Sequence, residues 1–176
     1  MKFVTTTAII LRQINFSDSD KIFSLLTPDL GRVSAIAKGV RKIKSRKAGH
    51  LDLGNVVKVS LAEGKNIYIL TQAELVVSPP KNQLSVMAII FETLETLGKL
   101  LHDGQDAAVF YPLYITFLQG VKINHMVDFY LEDFYRGIFK LSGFWQESLI
   151  TYSLSQLRSY FENVVETHIN SRYLAG

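Results

Sequence analysis

The hydrophobic pattern of this chain changes period once, at Ser78-Pro79-Pro80, and that change limits the fold more than any other feature. Before it, apolar residues fall on alternate positions in short runs; after it, they recur every third or fourth position. A strand turns alternate side chains to one face, whereas a helix gathers residues three and four apart, so neither half fits the other's geometry. The residue before a proline is biased away from helix, which places the break itself between elements. The chain is therefore expected to be α+β, with residues 1–78 and 79–176 as its two domains.

The first half reads as five strands. Thr7–Leu11 is short and rich in β-branched residues, and Lys21–Thr27 runs into the turn Pro28-Asp29-Leu30-Gly31. From Arg32 to Lys38 the chain alternates, with Val33, Ala35 and Ala37 on one face. Asn55–Leu61 alternates again through Val57, Val59 and Leu61. Glu63-Gly64-Lys65-Asn66 is a hairpin signal and Ile67–Thr71 the returning strand. Five short strands joined by turns predict a small closed or nearly closed barrel. The second half reads as four helices. Met87, Ile90, Leu94, Leu97 and Leu101 mark the first, and Ala107–Gly120 the second, with Pro112 near its start. Val127, Leu131, Phe134, Ile138 and Leu141 mark the third, closed by Gly143. Ser153-Leu154-Ser155-Gln156 is a capping box that opens the fourth.

Charge divides along the same line. Residues 1–80 hold twelve basic and six acidic side chains, and residues 81–176 hold seven and ten, so the positive charge belongs to the barrel half. Most of it lies between the third and fourth strands. Six of the ten residues from Lys38 to Lys47 are basic (Lys38, Arg41, Lys42, Lys44, Arg46, Lys47) and none is acidic. That connection is longer than most loops, and such loops tend to be functional or disordered. Lysines and arginines on a small barrel form a groove suited to a single-stranded polyanion, held by salt-sensitive phosphate contacts. Aromatics suited to stacking on bases are few in this half, Phe16 and Tyr68 being the candidates. The expected mode is therefore backbone-dominated and tolerant of sequence.

Other chemistry finds little support. The chain has no cysteine, which excludes disulfides and thiolate metal sites. His50, His102, His125 and His168 lack metal-ligand spacing, and Asp18 and Asp20 have the composition of a turn. Gly64-Lys65 lacks the rest of a phosphate-binding loop, and no nucleophile elbow or zinc-protease motif is present. An enzyme is not expected, nor are a metal or a cofactor. No secretory pattern opens the chain and no stretch approaches a membrane span, so the expected setting is cytoplasmic.

The series AIILRQINFSDSDKIFSLLTPDLGRVSAIAKGVRKIKSRKAG, Ala8 to Gly49, resembles the start of the DNA repair protein RecO family of recombination mediators. The segments ILTQAELV (Ile69–Val76), FYLEDFYRGIFKLSGF (Phe129–Phe144) and INSRYL (Ile169–Leu174) are similar to later parts of that family. The resemblance implies an oligonucleotide/oligosaccharide-binding (OB) barrel followed by an all-α helical domain. It implies binding of single- and double-stranded DNA, annealing of complementary strands, and loading of recombinase on strands coated with single-stranded DNA-binding protein (SSB). The implied partners are RecR and the acidic C-terminal tail of SSB, in a nucleoid-associated cytoplasmic setting. The DNA-contacting residues it implies are Lys38, Arg41, Lys42, Lys44 and Arg46, with Arg12 on the first strand. Many family members carry a four-cysteine zinc site after the Leu-x-Gly helix; this chain departs from that pattern, and is shorter. The alternatives are an RNA-binding barrel of translation or ribosome assembly, distinguished by tighter binding of RNA than of DNA, and an adaptor that binds only proteins.

Overall fold

A computed structural model describes residues 2–45, 47–81, 83–104, 107–123 and 126–171. The chain divides into two compact units, Met1–Ser78 with Leu101–Ala108, and Pro79–Leu100 with Val109–Gly176.

The first unit is a closed five-stranded barrel in the order β1-β2-β3-β5-β4. Its strands are β1 (Phe3–Asn15), β2 (Lys21–Thr27), β3 (Gly31–Ala37), β4 (Val56–Ala62) and β5 (Tyr68–Val77). All neighbours are antiparallel except β3 and β5, which close the barrel through a short parallel pairing at Ala35–Tyr68 and Ile36–Ile69. The alternating positions point inward as their period requires. Ala35, Ala37, Val57, Val59 and Leu61 join Ala8, Ile10, Phe23, Leu25 and Leu70 in one buried core.

Two strands are longer than their hydrophobic runs. β1 extends well beyond Thr7–Leu11 because its first part pairs with β4 and its second with β2. Its polar ends are ordered by backbone ladders that leave no mark in side-chain periodicity. β5 likewise continues past Thr71 along β4. A bulge between Ile10 and Arg12 breaks the register of β1 against β2. Strict alternation would place Arg12 on the inward face with Ala8 and Ile10. The extra residue reverses the phase, so Gln13 opposes the core residue Phe23 and Arg12 opposes Ser24.

Segment 101–104 returns to the barrel. Arg32 Nε meets Asp103 at 3.0 Å, and the Arg32 guanidinium also donates to the Leu101 carbonyl. Ser34 hydrogen-bonds the Asp103 carboxylate, and Gly104 N–H donates to Arg32 O at 3.1 Å. Leu101 and Ala107 therefore serve the barrel unit rather than the helices that their spacing predicts.

The second unit contains α1 (Leu84–Leu100), α2 (Phe110–Ile123), α3 (Val127–Ser142) and α4 (Leu154–Val165). Pro112 occupies the first turn of α2, where its missing N–H costs nothing. α3 ends at Gly143 with φ 81°, a left-handed cap that favours glycine. At the start of α4, Gln156 Oε1 accepts from the Ser153 N–H at 2.9 Å. Tyr114, Phe117, Phe134, Tyr135, Phe139 and Phe161 form a buried aromatic core. Within it Glu92 of α1, 1% exposed, receives Arg158 Nε at 2.6 Å, Arg158 Nη2 at 2.7 Å and Tyr135 Oη at 2.8 Å. This network ties α1, α3 and α4 to one another. Burial works against the Arg158 charge, but Glu92 outweighs it and raises the guanidinium pKa. Among the described residues, no helix is long and apolar enough to cross a membrane.

Candidate nucleic-acid interface

The connection from β3 to β4, residues 38–55, is a sequence of tight turns pinned at both ends. Gly39 takes φ 66°, a left-handed conformation that suits glycine, and its N–H donates to Asp20 Oδ1 at 2.8 Å. That hydrogen bond is the main cause holding the Asp20 carboxyl below its ordinary pKa, with Ser19 and Ser17 adding to it. Val40 turns back into the barrel, 4% exposed. Lys42 N–H then closes a turn on Gly39 O, and Ser45 N–H another on Lys42 O. A single 3₁₀ turn at Ala48–His50 leads to Leu51, 2% exposed in the same core. Two apolar side chains thus anchor a polar segment, because burying each removes apolar surface from water that an unpinned loop would leave exposed.

The anchors direct the charges outward. Lys38, Arg41, Lys42 and Lys44 are all exposed. Arg41 also braces the loop against the β1–β2 turn. Its N–H donates to Ser19 O at 3.0 Å and its Nη1 to Ser17 O at 2.7 Å. Asp18 and Asp20 therefore belong to a structural turn, with Asp20 acting as the cap of the basic loop. Lys47 behaves differently from its neighbours. It is half-buried, its Nζ donates to Leu70 O at 3.2 Å, and burial lowers its pKa. Its ammonium stitches the loop to β5 more than it faces solvent. Arg46 lies outside the described residues, as do His125 and residues 172–174 of the INSRYL segment.

Two open clefts flank the loop. Gln13, Asn15, Lys21, Arg41, Lys42 and Ile43 are among the residues lining one. Lys38, Ser45, Lys47, His50, Thr71 and Gln72 are among those lining the other. Arg12 lines neither; after the bulge it opposes Ser24, on the face of β1 away from Gln13, and is exposed. Lys21, whose Nζ donates to Gln13 Oε1 at 3.0 Å, is a cation at the first cleft that charge clustering alone does not single out. Its signal in the sequence is its place directly after the Ser-Asp turn that Arg41 grips. Of the candidate stacking aromatics, Phe16 is 62% exposed, whereas Tyr68 packs partly against the barrel core.

The helical unit offers fewer available cations. Arg136 pairs with Glu132 at 3.1 Å and Asp133 at 3.6 Å, and Lys140 sits 4.7 Å over the Trp145 ring. The four-thiolate zinc site of the resembled family has no donors here, since the chain contains no cysteine. Among the described residues there is no cluster of three or more His, Asp or Glu placed to hold a metal ion.

Comparison with known proteins agrees with this architecture. Residues 1–79 match the family model for the recombination protein O N terminal. A DNA repair protein RecO of Dehalococcoides mccartyi is 33% identical over 144 residues, covering 81% of this chain and 57% of the relative. One from Caldanaerobacter subterraneus is 34% identical over 113 residues, 63% of this chain and 46% of the relative. Over 70 residues the identity to the protein of that name from Rhodopirellula baltica reaches 44%, covering 39% of this chain and 26% of the relative. The chain thus spans little more than half the length of the curated relatives it matches. With its barrel half matched by the N-terminal model and 144 of its residues aligned with a relative covered to 57%, the chain is similar to the recombination protein O family across both units.

Proposed function

We propose that this chain is a DNA-binding mediator of recombinational repair and that residues 38–47 are its principal phosphate-contacting surface. The observation that carries the reading is the outward display of Lys38, Arg41, Lys42 and Lys44 from a loop pinned by Val40 and Leu51. Cations held on a braced loop contact successive phosphates with little further ordering, and each contact releases counterions. Screening of two strands by one basic surface lowers their mutual repulsion, which accounts for annealing without any bond-making step. On this reading the protein is a mediator and not an enzyme. It binds single- and double-stranded DNA, anneals complementary strands and helps to load recombinase on SSB-coated DNA. RecR and the SSB tail are its proposed partners, in the nucleoid-associated cytoplasm. Arg12 and Lys47 are weaker members of the proposed site, the first because it faces away and the second because its ammonium is engaged.

The test is fluorescence anisotropy of a labelled single strand of about 30 nucleotides, as DNA and as RNA, at two salt concentrations. DNA binding that falls steeply with salt, and that weakens at least about tenfold in a folded Lys38→Glu, Lys42→Glu, Lys44→Glu variant, is the expected outcome. Equal binding by that variant refutes the site. RNA bound much more tightly than DNA transfers the barrel to RNA recognition, and no binding at low salt leaves protein partners as the reading.

A further inference from the structure

The tip of the basic loop carries a side chain that neither folding nor phosphate contact explains. Ile43 lies between Lys42 and Lys44 and is 105% exposed, the most exposed large hydrophobic side chain among the described residues. It contributes nothing to the core, and it stands on an ordered turn closed by Ser45 N–H on Lys42 O at 2.9 Å. A second apolar group, Phe16, is 62% exposed on the neighbouring β1–β2 turn. The two turns are joined: Arg41 donates to Ser17 O and Ser19 O, and Asp20 accepts from Gly39 N–H.

We propose that Ile43 and Phe16 form a base-contacting pair, which inserts against the unstacked bases of a single strand while the flanking lysines hold its phosphates. This inference rests on the reading of the loop as a phosphate surface. Charge complementarity selects the occupant. An apolar tip flanked in sequence by Lys42 and Lys44, with Arg41 lining the same cleft, is a poor seat for an uncharged hydrophobic protein segment. A single strand presents an apolar base face and a phosphate side by side, at the spacing of one nucleotide. Aliphatic side chains wedge between bases and aromatic ones stack on them, and both contacts accept any base. The pair therefore adds preference for unpaired over paired bases without adding sequence specificity. Phosphate contacts alone do not provide that preference, because a duplex presents more charge per unit length.

The experiment uses the full chain with Ile43→Ser and Phe16→Ser together, a change that leaves every loop cation in place and touches no residue of the barrel core. Two labelled single strands of equal length are compared, one with bases and one with a central abasic stretch. The double variant is expected to bind the normal strand about tenfold more weakly, with an unchanged salt slope and melting temperature. Wild type is expected to lose a similar factor on the abasic strand, and the variant to be indifferent to base removal. Salt-dependent binding by wild type with an unchanged double variant, or with a variant that still discriminates the abasic strand fully, overturns this inference alone. Wild type that binds neither strand at low salt overturns the parent reading and this one with it.

Discussion

Leu51→Ala separates the bracing of the loop from its charge. Leu51 is 2% exposed and belongs to the barrel core, at the point where the basic connection rejoins it before β4. Truncation removes three carbons, about 2.4 kcal/mol of transfer free energy at roughly 0.8 kcal/mol each. The residual cavity adds to this, within the range of about 2–5 kcal/mol found for such substitutions. The expected loss is about 3 kcal/mol, in the lower half of that range. Thermal melting should show the barrel transition about 10–20 °C lower. At 25 °C the barrel stays mostly folded, because ordinary stabilities of about 5–15 kcal/mol exceed the loss. Anisotropy under those conditions should give a dissociation constant raised about three- to tenfold, since the cations must now be ordered during binding. The slope of log affinity against log salt should not change, because no charge has been removed. A lowered melting temperature with unchanged affinity would refute the argument that Leu51 pre-arranges the cations. A reduced slope would show that the loop cations no longer reach the strand at all.

Three further outcomes test the energetics of the helical unit. Arg158→Ala leaves the buried Glu92 carboxylate without its bidentate partner and should cost about 3–5 kcal/mol, read as a lower midpoint in urea. Glu95 supplies a pH dependence. Burial alone raises its pKa, but hydrogen bonds from Asn170 N–H, Lys99 Nζ, and the Ser171 hydroxyl and N–H outweigh it and hold it at about 2, against 4.5 in the unfolded chain. A depressed carboxyl contributes stability above its unfolded pKa and loses it as pH falls, so this contribution should fade between pH 4.5 and 2. The group is partly exposed, so about 1 kcal/mol is expected, and Glu95→Gln should flatten the melting temperature over that window relative to wild type. Gly120→Ala should destabilise despite alanine's better helix propensity, because a Cβ there lies 2.4 Å from the Tyr130 ring. A raised melting temperature for that variant would mean that Tyr130 moves aside freely.

The local signals were legible wherever one residue type decides a local geometry. Gly143 caps α3 and Gln156 reaches back to Ser153 at the start of α4. The period of two in Arg32–Lys38 and Asn55–Leu61 placed their inward faces correctly, because a half-buried strand must sort its side chains by polarity. The density of charge in Lys38–Lys47 was equally plain, but the burial of Val40 and Leu51 was not read from it. The disposition of that charge was not. That Lys47 is engaged by Leu70 O, that Arg41 clasps the Ser17 turn and that Arg12 faces away all depend on chain segments distant in sequence.

What the sequence by itself determined is the division into a β half and an α half, and the concentration of positive charge in one connection. Periodicity and composition are properties of neighbouring residues, and they survive without a tertiary fold. The tertiary structure alone decided which strands close the barrel, since the parallel β3–β5 pairing joins backbones whose residues carry no matching signal. It also drew Leu101 and Asp103 back to Arg32, although the apolar spacing of α1 runs smoothly through Leu101. The bulge at Leu11 did the same for Arg12. One unpaired residue reverses the facing of every side chain after it, and whether a residue is left unpaired is settled by the partner strand.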